Sequence, residues 1–243
     1  MRQFGLIGFP LSHSFSQKYF TEKFLKENIT DAAFLNFSIP DIADIENIFR
    51  DHPSLQGLAV TIPYKKSVIP YLNSVDDAVK EMSACNCIKI RGEIKTGFNT
   101  DTIGFEKSFV KQLKPHHKKA LILGTGGASA AIQYVLKKLN IEYLLASRNK
   151  SLKAIAYSDI SPAIFLEFNI IINCTPLGTY PDTGKAPLLP YNLLTPEHYL
   201  YDLVYNPPLT KFLQYGKEAG CTIKNGYEML ELQAEENWKI WNS

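Results

Sequence analysis

Cysteine is scarce in this chain, with four among 243 residues, and only Cys85 and Cys87 stand close together, one residue apart. That spacing fits neither a CxxC redox pair nor a zinc-ligand set, which sets aside thioredoxin-type chemistry and structural zinc. On a strand the two thiols share a face and read as buried apolar side chains, and no metal site is expected. An excess of one charge is also missing. The net charge is +2 at pH 7, and the pairs Lys65-Lys66, Lys118-Lys119 and Lys137-Lys138 are isolated, so no basic stripe calls for nucleic acid. No apolar run approaches the roughly 20 residues that cross a bilayer. The opening MRQFGLIGFP has too short an apolar run for a signal peptide, so a cytoplasmic protein without a membrane partner is expected. What remains, 45% hydrophobic and 21% charged residues, is the composition of a globular protein with room for one large or two modest domains.

The densest signal is KALILGTGGAS, from Lys119 to Ser129. Ala120 to Leu123 is short and apolar enough for a buried parallel strand, and Gly124, Gly126 and Gly127 let backbone approach a ligand. The helical run from Ala128 to Leu139 then presents free N–H groups to a pyrophosphate. The pattern is GxGxxS, with Ser129 in the third glycine's place, and taken alone it also fits a tight strand-to-helix turn. The next strand, Glu142 to Ala146, ends at Ser147-Arg148 and is followed by Asn149, Lys150, Ser151 and Lys153, with no acid. A NAD-binding fold places an acid there for the ribose hydroxyls, whereas arginine suits a 2′-phosphate, so the expected cofactor is NADP. Further strands at Ile170 to Ile172 and Tyr199 to Val204 run into the loops NCTPLG and YNPP. The short span from Asn149 to Ile170 predicts an abbreviated second half with one helix short or absent. Leu209 to Ala219 reads as a helix capped by Gly220, Cys221 to Lys224 as a last strand, and Tyr227 to Trp241 as a final helix. Gln233 lies inside that helix, where local sequence makes it an exposed filler.

The first hundred residues alternate strands and helices, which predicts a layered, parallel α/β domain. Phe4 to Ile7 is a strand, the loop LSHSFS follows, and Gln17 to Glu27 is a helix with Phe20 and Phe24 on one face. Ser14 and Ser16 sit near its start; one hydroxyl suffices for a cap, leaving one for a ligand anion. Ala33 to Phe37 is a strand, and Ile42, Ile45 and Phe49 recur at helical spacing. Gly57 to Ile62 is a third strand ending in VTIPYKK, so Lys65 lies just past a carboxyl strand end, where open α/β sheets bind ligands. A solvated surface lysine is the other reading. Val75 to Met82 is helical, and Cys85 to Ile90 and Glu93 to Phe98 flank Arg91-Gly92 as a hairpin, with Asn86 on its first strand. Asp101 precedes a helical pattern from Thr102 to Leu113, and local sequence explains it as an N-cap. Pro115, His116, His117 and two lysines make a polar break, the adjacent histidines pointing apart in a loop.

Taken in order, SHSFS, VTIPYKK, CNCIK, GFNTDTIGF, LGTGGAS, INCTPLG, YDLVYNP and GYEMLELQA resemble the landmarks of the shikimate dehydrogenase family over nearly the whole chain. The resemblance implies an α/β enzyme with an N-terminal substrate domain and a Rossmann-type, parallel-sheet NADP-binding domain, the cleft between them. The expected limits are residues 1–101 and 102–225, with a C-terminal helix over 226–243 packing back on the first domain. The implied reaction is reversible NADPH-dependent reduction of 3-dehydroshikimate to shikimate, a step of aromatic amino acid and chorismate biosynthesis. By motif, Lys65 and Asp101 are the catalytic pair, and Ser14 and Ser16 bind the substrate carboxylate. Thr61, Asn86, Asp101 and Gln233 hold the ring hydroxyls. Gly124, Gly126, Gly127 and Ala128 carry the diphosphate, and Arg148, Asn149 and Lys153 face the 2′-phosphate. Tyr205 falls near the substrate, and Thr175 and Gly226 near the nicotinamide. The implied partners are small molecules, in a monomer or homodimer. Ala59, Asn225, the SRN loop and Lys153 depart from frequent family residues. Two other readings are a quinate-type relative and a non-catalytic dinucleotide-binding regulatory module. The presence of Lys65, Asp101 and both serines argues against the second.

Overall fold

The computed structural model describes residues 1–11 and 15–243; Ser14 lies outside them. The chain divides into two compact units, Met1–Ile103 with Gln233–Ser243, and Gly104–Leu232. The first unit carries β1 (Arg2–Gly8), α1 (Phe15–Lys26), β2 (Ala32–Ser38), α2 (Ile45–Asp51), β3 (Leu55–Val60), β4 (Ser74–Val75), α3 (Asp77–Met82), β5 (Cys87–Arg91) and β6 (Ile94–Phe98). Its sheet runs β2-β1-β3-β5-β6-β4. The strands β2, β1 and β3 are parallel, as the alternation with helices predicts, while β5 and β6 join antiparallel. The reason is the tight turn at Gly92, whose φ of 57° suits a two-residue hairpin connection. Asn86 therefore stands immediately before the hairpin strand rather than on it.

The helix α4 (Asp101–Phe109) straddles the limit between units. Asp101 is its first residue rather than a cap ahead of it. The second unit continues with β7 (Lys119–Leu123), α5 (Gly127–Lys138), β8 (Glu142–Ser147), β9 (Ile155–Ala156), α6 (Pro162–Glu167), β10 (Ile170–Asn173), β11 (Tyr199–Asp202), α7 (Lys211–Glu218), β12 (Thr222–Asn225) and the start of α8 (Tyr227–Asn242). Its sheet is parallel throughout, in the order β12-β11-β10-β7-β8-β9. Parallel neighbours normally need a crossover of a dozen or more residues. Here β8 and β9 are joined by residues 148–154 alone, without a helix, and α6 is short, so the abbreviation expected from the sequence is real.

The second sheet is buried on both faces, which explains the unbroken apolar runs of its central strands. Ala120, Ile122, Ile170, Ile172, Tyr199 and Tyr201 pack on one side with Phe105, Phe109, Ile132 and Val135. The alternate residues Leu121, Leu123, Ile171 and Leu200 pack on the other with Phe165, Phe212 and Leu213. His116 and His117 do not point apart. Their rings lie 4.3 Å centre to centre, and both direct Nε2 at the Glu197 carbonyl oxygen, at 3.2 and 3.1 Å. His117 Nδ1 accepts the Lys114 N–H at 3.0 Å, the arrangement of a neutral ring, and burial pushes its pKa down.

In the first unit, Ile7, Leu58, Val60, Ile88 and Ile90 cover one face of the sheet with Ile45, Ile48, Tyr64 and Val68. The other face is aromatic and includes the end of the chain. Phe4, Phe20, Phe34 and Trp241 are mutually packed, with ring centres 5.2 Å apart for Phe4 and Trp241, 5.3 Å for Phe20 and Trp241 and 4.7 Å for Phe20 and Phe34. The fully buried Trp241 donates its indole N–H to the Ile88 carbonyl at 3.0 Å. It lies so close to Gly57 that a Cβ there would overlap the ring. Replacing Trp241 by alanine empties a large buried volume and removes the indole donor from the Ile88 carbonyl. We predict a loss of about 3–5 kcal/mol in denaturant unfolding, and a deficit under 1 kcal/mol would refute this account of the core.

Candidate active site

In the first unit four of the expected residues, Lys65, Asp101, Asn86 and Gln233, are linked through one ion pair and the hydrogen bonds around it. Beyond β3 the chain turns through Thr61, whose N–H donates to the Ile7 carbonyl at 3.0 Å, while the Lys65 carbonyl accepts the Cys85 N–H at 2.7 Å. The backbone of Lys65 is thereby pinned beside the hairpin, and its Nζ donates to Asp101 Oδ2 at 2.6 Å. Their side chains are 21% and 13% exposed, sheltered but still open to a ligand. Asp101 opens α4, where a carboxylate also favours the helix dipole.

The other carboxylate oxygen is used as well. Asn86 Nδ2 donates to Asp101 Oδ1 at 2.9 Å, and Asn86 Oδ1 accepts the Thr100 N–H at 2.7 Å. The Thr100 hydroxyl has one proton, and its shortest contact is to Asn237 Oδ1 at 2.6 Å, which leaves its lone pairs for Asn86 Nδ2 at 3.1 Å. Asn237 Nδ2 lies 3.5 Å from Gln233 Oε1, at the edge of hydrogen-bonding range. Lys65, Asp101, Asn86 and Gln233 thus belong to one polar chain, which Thr100 and Asn237 complete. Gln233 is buried, not an exposed filler. Sequence reasoning missed Thr100 and Asn237, although Asn237 is one helical turn from Gln233 and so on its face. Thr61 is half-buried in the loop that carries Lys65, and Ser16 is half-buried in the first turn of α1.

The second unit holds the glycine turn. Gly124 has φ +100°, donates its N–H to the Ala146 carbonyl at 2.8 Å, and lies so near Thr175 that an added Cβ would be 3.0 Å from Cγ2. Gly126 is the N-cap of α5 and makes no side-chain cap, and a Cβ on Gly126 or Gly127 would meet nothing within 4 Å. Packing within the chain does not demand glycine at these two positions. Backbone open to space at an uncapped helix start is what an incoming phosphate needs. Beside the turn is a cavity of about 580 Å³, walled by Gly124 to Gly126, Ser147 to Ser151, Tyr157, and Cys174 to Leu177. Gly124, Gly126, Arg148, Asn149 and Thr175 come together there. Gly127 and Ala128 are the first two residues of α5, Lys153 is exposed outside the wall, and Lys150 stands in the wall instead. These residues fit a dinucleotide with an added phosphate: open amides for its diphosphate, Arg148 and Lys150 for its charge.

Tyr205 is 38% exposed, its ring centre 6.5 Å from that of Tyr227. Gly226 has a packing reason of its own, because a Cβ there would collide with the Leu203 carbonyl. Near both, and fully buried, is Asp202, a residue not singled out from sequence. Burial lifts its carboxyl from 3.8 to about 6, against hydrogen bonds from Thr210, Val204 and Asn173 that favour the charged form.

The family described as Shikimate dehydrogenase substrate binding domain matches residues 6–88. The NADP(+)-dependent shikimate dehydrogenase of Methanococcus vannielii is 33% identical over 98% of this chain and 90% of its own length. The chain belongs to the shikimate dehydrogenase family. Among solved structures, the chorismate mutase/shikimate 5-dehydrogenase fusion protein of Clostridium acetobutylicum has a TM-score of 0.89 at 32% identity, covering 100% of this chain and 91% of that one. The Thermus thermophilus shikimate 5-dehydrogenase in complex with NADP(H) and shikimate has a TM-score of 0.87 at 25% identity, covering 99% and 93%. The two sheets described above are the α/β substrate-domain and Rossmann-type architecture of this family. No helix among the described residues is long and apolar enough to cross a membrane.

Between pH 3.8 and about 6 the folded chain holds a proton on Asp202 that the unfolded chain has released. The contribution of this group to stability is therefore greatest below that window and falls as pH rises through it. Asp202→Asn removes the titration, so its stability relative to wild type should rise from pH 4 to pH 6 in denaturant melts. A constant difference across that range would contradict the shift.

Proposed function

We propose that this chain is an NADP-dependent shikimate dehydrogenase, reducing 3-dehydroshikimate reversibly to shikimate in aromatic amino acid biosynthesis. The observation that carries the chemistry is the Lys65–Asp101 pair at 2.6 Å, tied by Asn86 and Thr100 into a buried polar network. We assign substrate binding and acid–base work to the first unit and cofactor binding to the second. NADPH, held by the glycine turn and by Arg148, Asn149 and Lys150, would supply the hydride.

When the substrate carbonyl is reduced, its oxygen becomes an alkoxide that needs a proton. The Lys65 ammonium donates it and stabilises the developing charge; in the reverse direction the amine takes the hydroxyl proton. Asp101 aims the ammonium, and Asn86 fixes Asp101 in turn. Thr61, Asn86, Asp101 and Gln233 are proposed to bind the ring hydroxyls, with Tyr205 beside the substrate. Ser14 and Ser16 are assigned its carboxylate. Gly127, Ala128, Thr175 and Gly226 are assigned to the cofactor, and Lys153 to the periphery of its 2′-phosphate. The same reading carries a cytoplasmic location and a monomer or homodimer, which fractionation and light scattering test.

Lys65→Ala should lower turnover with 3-dehydroshikimate by about 10² to 10⁴ while leaving NADP affinity, read by titration calorimetry, unchanged. Near wild-type turnover would refute the catalytic assignment. The substrate and cofactor are tested by following absorbance with shikimate or quinate, each with NADP or NAD. Reduction of NADP by shikimate is expected. Activity with quinate alone would overturn the substrate, and activity with NAD alone would overturn the role given to Arg148.

A further inference from the structure

Asp202 lies at the carboxyl end of β11 with none of its surface exposed, so no ligand in the cavity reaches it. A carboxylate in that position must be met by donors, and three converge on it. Oδ1 accepts Asn173 Nδ2 at 2.9 Å and the Val204 N–H at 3.0 Å, and Oδ2 accepts the Thr210 hydroxyl at 2.6 Å. Asn173 faces Asp202 across the parallel pair β10–β11, so the strand register itself makes the contact.

The bond to Asn173 has a consequence on the far side of the amide. With Nδ2 committed to Asp202, Oδ1 is left to accept the Thr175 N–H at 3.0 Å and the Thr175 hydroxyl at 2.6 Å. The Thr175 hydroxyl has then used its only proton and accepts the Leu177 N–H at 3.3 Å. Thr175 and Leu177 are wall residues of the cavity, and Thr175 also abuts Gly124 of the glycine turn. Rotating the amide by half a turn would set an NH₂ group against the Thr175 N–H, donor against donor.

We propose that Asp202 is a positioning residue for cofactor binding: it fixes the Asn173 amide, and the amide in turn holds the Thr175–Leu177 wall in its binding shape. The proposal rests on the reading that NADP occupies this cavity. Asp202 touches no ligand and acts only through Asn173. Its remaining partners tie the same carboxylate to Val204, one residue before Tyr205, and to Thr210, whose hydroxyl caps α7 by accepting the Leu213 N–H at 3.3 Å.

The test compares two substitutions at one site. Asp202→Ala removes the acceptor. Asp202→Asn keeps it, because an asparagine Oδ1 can take the same two N–H groups while its Nδ2 donates to the Thr210 hydroxyl. In titration calorimetry with NADP, Asp202→Ala is expected to raise Kd about tenfold and Asp202→Asn to return it to within about threefold of wild type. The KM for shikimate should be the same in all three proteins, which a general loss of structure would not produce. A folded Asp202→Ala protein with wild-type NADP affinity overturns the proposal. If Asp202→Ala does not fold, Asn173→Ala takes its place. That variant cuts the link and leaves Asp202 with Val204 and Thr210, so unchanged affinity there is equally fatal. Wild-type protein that fails to bind NADP overturns the cofactor reading and the proposal with it, whereas wild-type binding with unaffected variants overturns the proposal alone.

Discussion

Much of the first unit depends on the indole of Trp241 filling the notch left by Gly57. Two parallel strands, β1 and β3, offer an apolar face there, and α1 covers part of it with Phe20 and Phe24. The remainder is closed by the last turns of α8, which come from the far end of the chain. The same helix carries Gln233 and Asn237, the latter bonded to Thr100. Packing of Trp241 therefore does more than bury area: it fixes the rotation and height of the helix that completes the polar network. The buried Lys23, which donates to Glu27 and to Glu235 of α8 at 2.7 and 2.9 Å, locks the same helix against α1 from its polar side.

The two candidate sites use one device twice. In the first, the Asn86 amide gives its NH₂ to Asp101 and takes the Thr100 N–H on its oxygen. In the second, the Asn173 amide gives its NH₂ to Asp202 and takes the Thr175 N–H. An amide has distinct ends, so a carboxylate at one end decides what the other can hold. The difference between the two lies in access. Asp101 is partly exposed and shares its charge with a lysine, while Asp202 is sealed and spends its acceptors on the protein. Under the roles proposed above, that contrast separates a group placed for chemistry from one placed to hold a shape.

What the sequence makes legible follows from how local each feature is. The strands β7 and β10 carry their own signal, because residues buried on both faces leave an unbroken apolar run. The glycine turn and the absence of an acid after Ser147 are also local. By contrast, β4 and β9 have two residues each and exist only because a neighbour pairs with them. Lys65, Asn86 and Asp101 have no spacing that announces their meeting, and it was the set of motifs that linked them. Gln233 and Asn237 look like filler because helical polar residues are exposed on average, and only tertiary packing puts them inside. The preference for Lys150 over Lys153 in the cavity wall depends on the course of the loop without a helix from β8 to β9, which periodicity cannot supply.

The first unit is discontinuous in sequence, closing only with Gln233–Ser243. A ribosome delivers the chain from its N-terminus at about 5–20 residues per second. The sheet of the first unit therefore emerges early and waits, its aromatic face incomplete, while the whole second unit is made. Trp241 belongs to the segment that closes the first unit, and that segment is made only after the whole of the second unit. The second unit can collapse during translation before the first has received its closing segment. In the interval the phenylalanines of that face lack the Trp241 ring that packs on them.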